Sequence, residues 1–145
     1  MRTVVQRVAR ASVGVDGRQV ARIGAGLLAL VGFARGDGEE QLRWMGEKLW
    51  GLRVFPDAGG HMNRSLEATG GELLLVSQFT LYGDVARGRR PSFVKAAPPE
   101  EARSLYERFV SICRGPGRSV QSGEFGAMME VELINDGPVT LVIDR

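Results

Sequence analysis

A chain of 145 residues is the size of one domain and too short for two full-sized ones. Its 43% apolar and 25% charged residues match a folded soluble chain and exclude global disorder. Nineteen Lys and Arg against seventeen Asp and Glu leave a net charge of +2, too little for a strong non-specific hold on nucleic acid.

A single cysteine, Cys113, excludes an internal disulfide, and one Cys with one His, His61, excludes a zinc cluster of the ordinary type, so no metal or cofactor is expected. The longest nearly uncharged run, Gly24 to Ala34, is far shorter than the roughly 20 apolar residues of a membrane-spanning helix. Gln6, Arg7 and Arg10 interrupt the start where a secretory signal would be apolar, so the expected location is the cytoplasm.

In chain order, Val4 to Val15 alternates roughly between apolar and polar residues, the pattern of a half-buried strand. Asp16-Gly17 tolerates the positive φ of a tight hairpin and returns the chain through a second strand ending at Ile23. Leu27 to Phe33 is apolar on both faces, as in a strand covered on both sides. Asp37 as cap, with Glu40 completing a capping box, predicts a helix whose apolar face is Leu42, Met45, Leu49 and Leu52. A short strand, Leu52 to Phe55, and a loop, Pro56 to Gly60, follow.

Another buried strand is predicted from Glu72 to about Leu81. Beyond it, Gly83 to Pro98 carries Arg87, Arg89, Arg90 and Lys95 against Asp84 alone, an exposed basic loop. Pro98-Pro99-Glu100-Glu101 opens a second helix, Ala102, Leu105, Tyr106, Phe109, Ile112 and Cys113 form its apolar face, and Gly115-Pro116-Gly117 stops it. Val120 to Ser122 and Met128 to Ile134 read as strands, Asn135-Asp136-Gly137-Pro138 as a turn, and Val139 to Ile143 as the last strand. Together they predict a single α/β domain over residues 1–145, layered β/β/α, with a mixed, mostly antiparallel sheet and two main helices.

No pair of carboxylates, nucleotide-binding loop or Ser-His-Asp spacing stands out, so composition and periodicity stop at the fold. The segments Ser77-Gln78-Phe79-Thr80-Leu81 and Asn135-Asp136-Gly137-Pro138-Val139-Thr140, however, resemble the two signature motifs of the D-aminoacyl-tRNA deacylases. The opening Met1 to Val8 with Ala11-Ser12-Val13, the Met62-Asn63 and Ser65-Leu66 pairs, Gly88 to Phe93 and Gly123 to Ala127 resemble the same family in the same order. The likeness spans essentially the whole chain. Two positions depart from the family pattern: His61 stands where a Lys is usual, and Met128 where an acidic residue is usual.

The resemblance implies an enzyme that hydrolyses the ester between the 3′ adenosine of tRNA and a D-amino acid or glycine, a proofreading activity. Aminoacyl-tRNA is then the partner, and a homodimer is implied, with the second motif inserted into the partner subunit's active site. The same resemblance implies a cis Gly137-Pro138 bond whose two carbonyl oxygens face the substrate amino group, so that this stretch of main chain leaves no room for an L side chain. Ser77 and Gln78 would orient the substrate, and the N–H groups of Phe79 and Thr80 would stabilise the oxyanion. The base would be the substrate's own 2′-hydroxyl or a water.

Phe125 and Met129 would hold the terminal adenosine, and Arg7 would brace the Gly-Pro loop. Arg87, Arg89, Arg90 and Lys95 would touch acceptor-stem phosphates. His61 reads as a surface residue and Cys113 as core. On the residues alone two other functions stay open: a binding module that holds aminoacyl-tRNA ends without cleaving them, and a hydrolase of another acyl ester with Thr80 as nucleophile.

Overall fold

A computed structural model describes residues 1–145. Its layers follow from where each strand finds a partner. Strand β1 (Arg2–Val15) pairs along one side with β8 (Glu130–Asp144), and on its other side first with β3 (Gly26–Gly32) and then with β2 (Arg18–Ile23), all antiparallel. From β3 the sheet continues in parallel, to β6 (Glu72–Ser77) and then to β7 (Ser119–Ser122). Parallel neighbours need long crossovers, and these carry the two main helices, α1 (Glu39–Gly51) and α3 (Pro99–Cys113). No helix is long and apolar enough to cross a membrane.

The two-sided apolarity of β3 and β6 is used in full, because successive side chains point to opposite faces. Leu27, Ala29, Val31, Leu73 and Leu75 pack against Leu42, Met45 and Leu49 of α1 and Tyr106 and Phe109 of α3. Leu28, Leu74 and Val76 point the other way, onto a second core with Val8, Ala11, Val13, Ala21 and Ile23 of the curled β1–β2 layer. The result is the β/β/α layering expected. The close approach of β3 to β6 depends on Gly26, where a Cβ would stand 1.9 Å from the carbonyl oxygen of Glu72.

Several local expectations are corrected. The α1 cap is Gly38, whose N–H donates to Oε1 of Gln41 at 3.0 Å; the Asp37 carboxylate instead accepts from the Ala34 N–H and from the Met1 amino group, each at 2.7 Å. The predicted strand Leu52 to Phe55 shrinks to β4 (Phe55–Pro56), because Leu52 ends the helix and only Phe55 and Pro56 find a partner, in β5 (Met62–Arg64). Between them the Asp57 carboxylate accepts the Gly59 and His61 N–H groups and turns the loop, which leaves His61 exposed. A further short helix, α2 (Leu66–Thr69), is capped by Ser65 and ended by Gly70 at φ +64°.

Two corrections bear on the site. Strand β6 stops at Ser77, four residues before the predicted end, and a 3-10 turn, Phe79–Tyr82, follows. Asn135 to Pro138 is not a reversing turn, because β8 keeps β1 as its partner on both sides: Val8 opposes Asn135 and Gln6 opposes Thr140. One residue separates the partners on β1 and four separate them on β8, so the surplus is pushed out of the sheet as a bulge.

Candidate active site

The carboxyl ends of parallel strands are where open α/β sheets place their ligands. Here the Gln78 N–H still donates to the Val31 carbonyl at 2.7 Å, after which the chain leaves the sheet and folds back over β3. It has room to do so because residue 32 is glycine: a Cβ there would lie 2.9 Å from the Gln78 carbonyl oxygen and 3.3 Å from both Leu81 and Tyr82. In the turn, Leu81 N–H donates to Gln78 and Gly83 N–H donates to Thr80. A 3-10 turn leaves its first N–H groups without an acceptor of its own, and those are the N–H groups of Phe79 and Thr80.

Phe79 and Thr80 line a cavity of about 780 Å³, within the range that holds a small-molecule ligand. Ser77, Gln78, Phe79 and Thr80 form one wall, Phe93 and residues 96–99 another, and Phe125 to Met129 a third. The cavity is mostly apolar, and Arg35 is the one ionisable side chain among its lining residues. The Gln78 amide donates to the Thr80 hydroxyl oxygen, and Phe79 meets Phe93 edge to face at 5.0 Å. No lining residue carries an imidazole, amine or carboxylate to take a proton from Thr80. No three His, Cys, Asp or Glu side chains converge anywhere in the chain as a metal site would require.

The third wall is set by residues around Gly123. A Cβ at Gly123 would meet the Met129 sulfur at 2.6 Å, so glycine is what lets Met129 lie against the cavity. Phe125 is packed by Tyr106, with ring centroids 5.8 Å apart, and by the Arg103 guanidinium 4.9 Å from its centroid. The Tyr106 hydroxyl donates to the Leu75 carbonyl at 2.8 Å, tying α3 to β6; burial raises its pKa well above the usual phenol range, so it stays a donor.

The Gly137–Pro138 peptide bond is cis, and both residues are exposed and outside the cavity of their own chain. Arg7 holds the bulge down: its Nε donates to the Asp136 carbonyl at 3.1 Å and its Nη1 to the Val54 carbonyl at 2.5 Å. Asn135 closes it, its side chain exchanging hydrogen bonds with the Val139 N–H and carbonyl, each at 3.1 Å. Arg87, Arg89, Arg90 and Lys95 also lie exposed outside the cavity, the three arginines on a segment closed by mutual N–H to carbonyl bonds between Asp84 and Ser92 and Lys95 just beyond it. The structure therefore gathers Ser77, Gln78, Phe79, Thr80, Phe125 and Met129, and leaves Arg7, Gly137, Pro138 and the four loop cations apart from them. Sequence reasoning assigned no site role to Arg35 or Phe93; Phe93 at least ended a motif with a family likeness, whereas Arg35 had no local signal.

A family model described as D-Tyr-tRNA(Tyr) deacylase matches residues 4–144. The chain belongs to the D-aminoacyl-tRNA deacylase family. Members of this family are hydrolases, and relatives named D-aminoacyl-tRNA deacylase agree along the full length. One from Desulfitobacterium hafniense is 59% identical over 99% of this chain and 97% of its own, and one from Carboxydothermus hydrogenoformans is 56% identical over 99% of each. Among solved structures, one titled c-Myc DNA Unwinding Element Binding Protein superposes with a TM-score of 0.94 at 42% identity, covering 100% of this chain and 99% of its own. Another, titled a probable eukaryotic D-amino acid tRNA deacylase, reaches 0.82 at 22% identity over 99% of this chain and 98% of its own, and shares the fold. The deacylase signatures seen in the sequence thus fall at the end of β6 and on the β8 bulge.

Proposed function

We propose that the cavity beside Thr80 takes the aminoacyl-adenosine end of tRNA and hydrolyses the ester of D-amino acids and of glycine, and that handedness is judged by main chain around Gly137 and Pro138. The observation that carries this reading is the pair of unengaged N–H groups on Phe79 and Thr80 at the edge of a mostly apolar cavity. As the ester carbonyl becomes tetrahedral its oxygen gains negative charge, and fixed donors in an apolar setting stabilise that charge strongly. Gln78 and Ser77 orient the substrate, and Phe125 and Met129 hold the adenosine. The missing base beside Thr80 favours the substrate's own 2′-hydroxyl, or a water it holds, as the proton acceptor.

An enantiomer offers the same groups at the same polarity, so a pocket that gripped side chains would have to differ for each amino acid. Fixing the α-amino group and the ester carbonyl instead leaves one direction on Cα, where an L substrate carries its side chain and a D substrate carries hydrogen. A wall there excludes L-esters and, since glycine has no side chain, accepts glycyl-tRNA. The Gly137–Pro138 bulge is that wall in a homodimer, where it enters the partner's cavity. Its exposure supports this, as does β8 itself, an edge strand with Ile134, Leu141 and Val142 uncovered. Arg87, Arg89, Arg90 and Lys95 then contact acceptor-stem phosphates, and aminoacyl-tRNA as substrate places the enzyme in the cytoplasm.

The test is hydrolysis of D-tyrosyl-tRNA ending in a 3′-ester of adenosine or of 2′-deoxyadenosine. Removing the 2′-hydroxyl is expected to slow cleavage by about 10²-fold or more, the scale of a lost general base. Equal rates on the two esters would remove substrate assistance, and no cleavage of either by the wild-type protein would remove the assigned reaction.

A further inference from the structure

Arg35 follows β3 in the turn that leads to α1, and its place in the cavity wall is not explained by any partner in the protein. It makes no ion pair, and every acidic side chain near it in the chain is committed elsewhere. Asp37 holds the Met1 amino group and the Ala34 N–H. Glu39 is shared by Arg43 and Arg108, and Arg108 keeps its carboxyl well below the usual range, at about 2. Glu40 pairs with Arg145 at 2.7 Å. A guanidinium that is always charged and unpaired beside an apolar cavity is poised for an anion brought by the ligand.

The proposed substrate end carries few charges. Its α-ammonium is positive and is repelled by Arg35, which leaves the phosphates of the RNA backbone. The ester sits on the ribose of the terminal nucleotide, so the nearest phosphate is that nucleotide's own 5′-phosphate. We propose that Arg35 binds the 5′-phosphate of the terminal adenosine and thereby anchors the nucleotide in the cavity, an inference that rests on the aminoacyl-adenosine reading above. The same repulsion sets the direction of binding: the amino group lies away from the wall that carries Arg35.

The test is equilibrium binding of adenosine 5′-monophosphate and of adenosine, followed by calorimetry, which needs no turnover and so is read separately from the hydrolytic assignment. The wild-type protein is expected to bind the monophosphate about tenfold more tightly than the nucleoside, the scale of one charge-assisted contact. Arg35→Ala is expected to bring the two affinities together without changing that for adenosine, Arg35→Lys to keep part of the preference, and Arg22→Gln, on the outer strand β2, to leave it intact. Arg35 is exposed, and an unchanged thermal midpoint for each variant shows that the fold is kept. Equal or undetectable binding of the two ligands by the wild type, or a preference that survives Arg35→Ala, would overturn the proposal. Loss of hydrolysis with the preference intact would count against the reaction and not against Arg35.

Discussion

Thr80 looks like a nucleophile in isolation, yet its hydroxyl oxygen accepts a hydrogen bond from the Gln78 amide and no lining residue offers a base. An unassisted hydroxyl is a weak nucleophile at neutral pH. Thr80→Ala is therefore expected to lower kcat on D-tyrosyl-tRNA by about tenfold or less; a loss above about 10⁴-fold, with an acyl-enzyme trapped in the wild type, would establish the covalent route instead. Cys113 is the other reactive group by type, and it is fully buried, with burial pushing its thiol up to about 12. Native protein is expected to resist alkylation at pH 8 except through global opening, and fast labelling of the folded chain would contradict that placement. Its core position was legible from the helical spacing of its neighbours, because an apolar helix face is a local property. Arg35 was not legible, because what singles it out is the engagement of Asp37, Glu39 and Glu40 by residues far away in the chain.

At the scale of elements, the cavity depends on a strand that ends early, and the proposed wall on one that does not turn. Phe79-Thr80-Leu81 continues the apolar pattern of β6, and nothing local says that the strand should stop; Gly32 on the neighbouring strand makes the room for the turn. Gly32→Ala is expected to displace Gln78 and the two free N–H groups, lowering kcat/KM on D-tyrosyl-tRNA by about 10² or more at a stability cost of about 1–3 kcal/mol, measured by urea unfolding. A variant with full activity would show that the turn does not need that space. Asn-Asp-Gly-Pro, conversely, is a correct local signal for a bend, but whether the chain reverses there is decided by β1, which pairs with both flanks. Arg7 spans that bulge and Val54. Arg7→Ala is expected to speed amide exchange at Val139 and to weaken discrimination between D- and L-tyrosyl-tRNA by about tenfold, with Arg7→Lys a poor substitute because one ammonium does not reproduce the guanidinium fork. Unchanged exchange and discrimination in Arg7→Ala would dismiss the bracing role.

For the molecule as a whole, the layering was readable because β3 and β6 are apolar at successive positions and the helices at every third or fourth, which leaves few ways to stack them. The same burial sets a pH response. Cys113 and Tyr106 have pKa values raised by desolvation in the folded state, so the unfolded chain ionises first as pH rises. Their contribution to stability is complete below about pH 9 and is lost above it. The thermal midpoint is expected to fall from about pH 9 upward, with Cys113→Ala moving the onset toward the tyrosine range near 10; a midpoint flat to pH 11 would contradict the burial of both groups.

The most direct measurement is hydrolysis of D-tyrosyl-, L-tyrosyl- and glycyl-tRNA by the same preparation, compared as kcat/KM. If main chain alone blocks one direction on the α-carbon, the D and glycyl esters are cleaved and the L ester is left intact. Equal rates on the two tyrosyl esters would contradict the account.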